Sequence, residues 1–493
     1  MVSTTNNAEE RSSLLPASNS SLNTFVLPEN EKPRNWSRSY RWLCVGVISL
    51  YGLMSPVMAA AIVPALPAIS DDLSISDEKT LGALVSIYLL SWSVTPVFLG
   101  PLSEVYGRVG LLQIGHGLFM VFNFLSVFAQ TGPQLLVLRF LAGGVGSGPL
   151  SIGAGIIGDL WAPEERGVSI SLYTLGPLLG PAIGPIAAAY ISANFSWRWI
   201  FGFSSIYILI TLILGLFVLQ ETLLPVITER KRAAFLSKFP QQGLVSDYGT
   251  VPVPEIPETE HKKDFKAVRQ SLMRPFILLW TQPIIQVLAI FTGYQFGLNH
   301  LTITTFQSLW RDVYQQDMLG ASWNYIFIAV GFVFGSQATG MLNDRIYKRL
   351  DKKNSRSNPE LRTYMMLPAS LLVPLGLLLY GWSAERHMHW LIPDVGVCIY
   401  ATGLIMSYQC TQAYIIDCYT SHAASSMSAL MIVRSITGFT FPIFAPVLFS
   451  VWGYGLGSTW LAGCATIMGL GIPIMLKVYG PALRARSTYA VGE

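Results

Sequence analysis

The sequence predicts an all-α polytopic membrane protein with twelve transmembrane helices in two pseudo-symmetric six-helix bundles. Three observations carry this reading. Apolar residues make up 52% of 493 residues, enough for about twelve spans of ~20 residues each. Charged residues amount to 12%, about half of the ~25% in an ordinary soluble domain, and the mean hydropathy is +0.47. Third, short motifs recur in the two halves: Gly100-Pro-Leu-Ser-Glu104 returns as Gly340-Met-Leu-Asn-Asp344, and Gly158-Asp159-Leu-Trp161 is echoed by Ile416-Asp417-Cys-Tyr419, as a duplicated unit would give. This balance argues against a water-soluble enzyme, and a net charge of +4 spread over loops leaves no polybasic face for a nucleic acid.

Hydropathy places spans near 41–66, 82–102, 110–129, 134–158, 167–191 and 199–219, then near 276–305, 322–341, 362–382, 390–416, 425–450 and 457–478. The chain therefore divides into a polar cytoplasmic tail (1–39), a first bundle (40–222), a charged central loop (223–275), a second bundle (276–480) and a short cytoplasmic tail (481–493). Lys and Arg fix the orientation. With both termini in the cytoplasm, outer loops hold only Lys79, Arg198, Arg311 and Arg386, as the positive-inside bias requires. The first residues lack the apolar core of a cleaved secretory signal, so the first span is expected to insert uncleaved. Cys44, Cys398, Cys410, Cys418 and Cys464 all fall in apolar stretches without CxxC spacing, which suits reduced packing residues and leaves no metal or cofactor motif.

Three segments stand out. Gly100 to Gly110 packs Ser103, Glu104, Gly107 and Arg108 into a tight turn between spans 2 and 3. In span 4, Arg139 lies among small residues, where an unpaired guanidinium would cost several kcal/mol. It either faces a wet cavity or a partner, or snorkels to the outer interface. Span 5 reads Gly176-Pro177-Leu-Leu-Gly180-Pro181-Ala-Ile-Gly184-Pro185, so glycines and prolines each form a stripe with a four-residue period. The glycines permit close helix contact, and the prolines remove backbone donors and bend the helix. Gly331 and Gly335 of span 8 offer a matching small face, which predicts that spans 5 and 8 meet along their glycines.

These segments resemble the major facilitator superfamily, and the span 5 pattern resembles its drug:proton antiporters. Asn35-Trp36-Ser37, Asp159-Leu-Trp-Ala-Pro-Glu-Glu-Arg-Gly167, Trp197-Arg-Trp199, Glu221-Thr222 and Ser428-Ala-Leu-Met-Ile-Val-Arg434 extend the likeness over nearly the whole chain, toward the fungal multidrug efflux branch with twelve spans. The resemblance implies that Gly100, Ser103, Glu104, Gly107 and Arg108, with Asp344 at the repeated site, gate the inward side as a latch, with Glu104 and Arg108 near Asp159 and able to pair across the halves. It also implies proton-linked charges at Arg139, Asp159, Asp417 and Arg434. No Asp or Glu sits at mid-depth to carry the proton; Asp394 and His300 are the other ionisable groups in the spans considered for it.

The wall of a substrate cavity is expected at Tyr51, Ser55, Tyr88, Trp92, Tyr294, Gln295, Asn299, Tyr408, Gln409 and Gln412, since aromatics with neutral amides suit large, weakly polar molecules. Arg139 and Arg434 keep an anionic substrate open. The family likeness implies a transporter, not an enzyme. It would export drugs, toxins or secondary metabolites in exchange for protons, as a monomer in the lipid bilayer. The alternative is a proton-coupled organic-anion or nutrient carrier of the same fold. The plasma membrane is the expected location. Glu10 to Leu15 matches an acidic dileucine address, which keeps a vacuolar or endosomal membrane as the alternative.

Overall fold

A computed structural model describes residues 29–161, 166–238, 245–246, 249–250, 265–354, 359–419, 423–485 and 487. The dileucine segment, the middle of the central loop and most of the C-terminal tail lie outside these residues, and so does the side chain of Asp344.

The first half holds spans 1 (Arg38–Asp72), 2 (Lys79–Tyr106), 3 (Arg108–Ser126), 4 (Gly132–Leu160), 5 (Arg166–Asn194) and 6 (Arg198–Val218). Their ends carry the expected signals. Ser37 and Asp77 cap spans 1 and 2 by accepting from backbone N–H groups of the first turn. Thr131 does the same before Pro133 at the start of span 4. A polar helix, Leu224–Lys238, follows span 6, and two residue pairs, Val245–Ser246 and Gly249–Thr250, form an antiparallel bridge.

The second half departs from the sequence reading in two places. Span 7 does not begin near 276: a helix Phe265–Thr281 ends there, the chain turns by 98° at Gln282, and span 7 proper starts at Pro283. Pro283 lacks the N–H that would continue the first helix, so it opens a new one. Spans 8 (Tyr325–Asn354), 9 (Thr363–Glu385) and 10 (Leu391–Cys418) follow. Spans 11 and 12 run as one helical path, Ala423–Ala485, broken at Gly453, whose φ of 70° and ψ of 173° are not helical. The apolar part of that path is 61 residues long. At 1.5 Å per residue that is about 90 Å, roughly three times the ~30 Å hydrocarbon core, so it crosses twice. With this path counted as two and span 7 included, twelve spans are present among the described residues.

The surface is consistent with lipid as solvent. Phe217, Ile467, Ile114, Leu216 and Val137 are all exposed, a pattern that would aggregate in water but suits a bilayer. The five cysteines are free, three of them fully buried.

The glycine stripes do not join spans 5 and 8. A Cβ on Gly180 would lie 2.6 Å from Pro56 Cβ, and one on Gly176 would lie 3.2 Å from the Ser49 carbonyl, so this face packs on span 1. Gly331 and Gly335 in turn press on Cys398, Ala401 and Thr402 of span 10. Spans 5 and 8 do lie side by side, but Leu178, Leu179 and Ala182 make the seam against a cluster holding Ile328, Ala329 and Phe332. Sequence periodicity identified the small face correctly and could not say which neighbour it would meet.

Candidate functional site

The two halves enclose a cavity of about 410 Å³. Its wall is drawn from spans 1, 2, 4 and 5 on one side and from spans 7, 8, 10 and 11 on the other. Lining residues of spans 2, 4, 5, 8, 10 and 11 run from mid-span toward the ends that the Lys/Arg distribution assigns to the cytoplasm, while those of spans 1 and 7 sit at mid-span and somewhat beyond it, toward the outer side. On the outer side the halves are packed together: Ala60 and Ala182 share a core with Leu298 and Leu301, and Gly82 approaches Ile443 within 3.5 Å of a Cβ position. Nearer the cytoplasm, Pro96–Tyr106 runs against the helix Phe265–Thr281. A second groove, about 550 Å³ between Trp452, Trp460 and Ile467, lies among lipid-facing side chains of one half.

Because span 5 turns its glycines onto span 1, the prolines one position on face elsewhere. Pro177 and Pro181 line the cavity, while Pro185 is buried beyond it. Trp92 of span 2 and Phe296 of span 7 come from opposite halves, with ring centroids 6.4 Å apart and planes only 6° from parallel. Gln295, Asn299, Tyr408, Gln409 and Gln412 line the cavity as the sequence suggested. Gln295 Nε2 donates to Ser407 Oγ at 2.7 Å, and Gln409 Nε2 donates to Ser336 Oγ at 2.9 Å. Buried Gln295 Oε1 and Asn299 Oδ1 have no hydrogen-bond partner among the described residues.

Four of the expected wall residues are turned away. Tyr51 donates to Gln113 Oε1 at 2.8 Å and stacks on His116 at 3.7 Å, inside the first bundle. Ser55 and Tyr88 bond to each other at 2.9 Å and are fully buried. Tyr294 donates to the Leu461 carbonyl at 2.6 Å and so faces span 12. In each case a polar tip found a partner in a neighbouring helix, a choice that depends on helix rotation and is invisible in one sequence. Conversely, Phe296, His300, Tyr173 and Met431 line the cavity and were missed as wall residues; only their spacing of one turn or so from other lining residues could have signalled them.

Most of the charges inside the bundles are paired or held by carbonyls; Asp394 in span 10 is fully buried, and neither of its oxygens has a hydrogen-bond partner among the described residues. Arg139 is 1% exposed, so it neither snorkels nor lines the cavity. Its guanidinium donates to the carbonyls of Met58 at 2.8 Å and Leu84 at 3.2 Å and covers the Tyr88 ring at 4.5 Å. Arg108 Nε donates to Asp159 Oδ2 at 2.7 Å, and Thr222 Oγ1 donates to the same oxygen at 3.2 Å. Glu221 accepts from the backbone N–H of Arg108 at 3.0 Å and of Val109 at 3.3 Å, which caps the start of span 3 with a negative charge. All of these partners belong to the first half, while Glu104 is exposed. The turn is therefore tied within its own bundle: Arg108 sits against Asp159 as the sequence suggested, while Glu104 stays outside that pair, which corrects the expectation that the two would latch across the halves. Ser103 Oγ donates to the Gly100 carbonyl at 2.7 Å. Gly107 has φ +100°, and a Cβ there would lie 2.5 Å from Glu221 Oε2, so both backbone and space require glycine.

The second half repeats the device. Arg362 Nε donates to Asp417 Oδ2 at 3.0 Å, and Arg484 grips buried Glu360 with two bonds of 2.9 and 3.0 Å. Asp417 is thereby committed to Arg362. Arg434 instead donates to the Tyr408 hydroxyl and lies over the rings of Phe296 at 4.4 Å and Tyr408 at 4.7 Å. Of the described residues lining the cavity it is the one with a permanent charge.

Comparison with known proteins agrees with this architecture. The chain is 57% identical over 480 residues to the "MFS-type transporter oryF" of Aspergillus oryzae, covering 97% of this chain and 98% of that protein. It is 38% identical to the "Efflux pump vrtL" of Penicillium aethiopicum, over 94% of this chain and 90% of that one. Among solved structures it resembles a D-xylose-proton symporter at a TM-score of 0.63 and 15% identity, covering 89% of this chain and 97% of the other. A peptide transporter, POT, matches at a TM-score of 0.65 and 13% identity, covering 90% and 94%; both likenesses speak for the fold alone. Residues 48–442 match the Major Facilitator Superfamily profile, and with a cavity shared by two six-helix halves the chain belongs to that superfamily.

Proposed function

We propose that the protein is a secondary active transporter that exports a small organic molecule, a drug, toxin or secondary metabolite, from the cytoplasm in exchange for protons. The observation that carries this reading is the cavity between the halves, lined mainly from mid-span toward the cytoplasm and closed by packing on the outer side. Such a cavity loads from inside, and rocking of one half against the other would present it outside. The span 5 pattern and a 38% identical relative described as an efflux pump favour export over uptake. Substrate passes through chemically unchanged, so this is a carrier, not an enzyme.

In this reading the chain works as a monomer in the plasma membrane, with 40–222 and 276–480 as the moving bodies. Arg108–Asp159 and Arg362–Asp417 hold the cytoplasmic helix ends of each body in shape while the seam between bodies opens and closes. Arg139 keeps spans 1, 2 and 4 together.

Transport direction is tested in inside-out vesicles from a host that overexpresses the chain. A pH gradient, acidic outside the cell and hence acidic within these vesicles, should drive accumulation of a fluorescent drug panel, and collapsing the gradient should abolish it. Accumulation only in right-side-out vesicles would replace export with uptake; accumulation indifferent to the gradient would replace exchange with facilitated diffusion.

A further inference from the structure

We infer that the cavity recognises an organic anion, an aromatic molecule bearing a carboxylate or an equally acidic enol, with Arg434 and Tyr408 as the anion-binding pair. The inference deepens the export reading and rests on it for the direction of movement only.

Arg434 is 8% exposed and borders the cavity. The acids at the cytoplasmic ends of spans 10 and 4 are already paired, Asp417 with Arg362 and Asp159 with Arg108. What it touches instead is neutral: the Tyr408 hydroxyl, Met431 Sδ at 3.5 Å and the faces of two rings. A guanidinium has five N–H donors in a planar fork, and ring faces occupy none of them. Its Nε is buried with no hydrogen-bond partner among the described residues. A cation with unused donors in a site of low dielectric is costly unless a ligand or water completes it, and a carboxylate matches the fork.

Tyr408 points the same way. Its oxygen accepts from Arg434 Nη1 and, at 2.7 Å, from Gln412 Nε2. Both lone pairs are then used, so its own O–H must donate, and Tyr408 lines the cavity. Two donors, one charged, thus converge on the same part of the wall.

The remaining orphans define the rest of the molecule. Gln295 is 4% exposed, and its Oε1, like Asn299 Oδ1, lacks a partner. Turning the Gln295 amide over would free its nitrogen instead, so one polar atom stays unmatched either way. These amides suit a hydroxyl or carbonyl on the cargo. The parallel rings of Trp92 and Phe296 supply flat apolar surface, which favours a conjugated body.

The test uses the purified full chain and two isosteric probes, 2-naphthoate and the neutral 2-naphthamide, with binding read from tryptophan fluorescence and thermal stabilisation. A hydrogen bond to a charged group is worth about 1.5–3 kcal/mol, so the wild type should bind the anion about tenfold or more tightly than the amide. Arg434→Gln should erase the preference by weakening naphthoate and leaving naphthamide within about threefold. Tyr408→Phe keeps the ring, removes one donor and serves as the second variant should Arg434→Gln fold poorly; it should lower the preference as well. A wild type that binds neither probe, binds both alike or prefers the amide overturns the inference, and so do variants that weaken both probes equally. Binding to the purified chain is independent of direction, so this outcome and that of the vesicle experiment fail separately.

Discussion

Arg108 and Asp159 form an ion pair of 2.7 Å between the start of span 3 and the end of span 4, and Arg362 and Asp417 repeat it at 3.0 Å between spans 9 and 10. The duplicated motif thus maps onto duplicated geometry inside each half. Neutralising Arg108 should act first on the integrity of its own bundle.

Arg108→Gln and Asp159→Asn should each lower the stability of the detergent-purified protein by about 1–3 kcal/mol, because each leaves a half-buried charge without its partner. The double variant should cost clearly less than the sum of the two, since a shared interaction can be lost only once. Additive losses in thermal unfolding would show that the two residues do not act as a pair.

Arg484→Ala should be the more damaging change, at about 3–5 kcal/mol, because it removes the two-bond cation from the buried Glu360 carboxylate. Removing both with Glu360→Gln and Arg484→Ala should recover part of the loss. The measurement is the yield of monodisperse protein after heating, and equal yields for the single and double variants would refute the assignment.

Gly180→Leu should abolish folding, since even a Cβ meets Pro56 at 2.6 Å; Gly180→Ala should already cost about 1–3 kcal/mol by overpacking. Pro177→Ala, three positions earlier and at the cavity wall, should fold normally and alter which compounds are carried. Normal expression of Gly180→Leu would contradict the close contact of spans 5 and 1.

Gly107→Ala should cost about 1–2 kcal/mol from its left-handed backbone alone, and more because the added methyl displaces Glu221 from the cap of span 3. Glu221→Gln keeps the hydrogen bonds and removes the charge, so it should be milder. Thermal unfolding of the two variants checks the order.

The twelve spans were legible because a bilayer demands long apolar stretches and little else of composition, so a sliding window finds them one by one. The exception is instructive. Gln282 is a single-residue break inside apolar surroundings, which a window averages away, whereas the break at Gly453 falls in the gap that hydropathy leaves between spans 11 and 12. Residue type also named part of the cavity wall, Trp92 and the amides of spans 7 and 10. It misassigned Tyr51, Ser55, Tyr88 and Tyr294, because in a bundle each span has several neighbours and the sequence alone does not set its rotation. The same limit explains why Gly176 to Gly184 could be recognised as a contact face while its partner, span 1, was not. The isolation of Arg434 is a further case. It emerges only when Asp417 is seen to be engaged by Arg362, a residue some 70 positions upstream in the chain.

The glycine contacts inside each half, Gly180 against Pro56 or Gly376 against Tyr400, interlock backbone with backbone, whereas the seam between halves is made largely of alanine, leucine and isoleucine side chains, with the looser approach of Gly82 to Ile443 at 3.5 Å. In mechanical terms the former are welds and the latter is a bearing. Welds resist any shift, since backbone has no rotamers to give. A bearing of small and branched side chains can slip by changing rotamers, exchanging one set of van der Waals contacts for another of similar depth. The fold therefore places its compliance along a single plane through the cavity and its stiffness on either side.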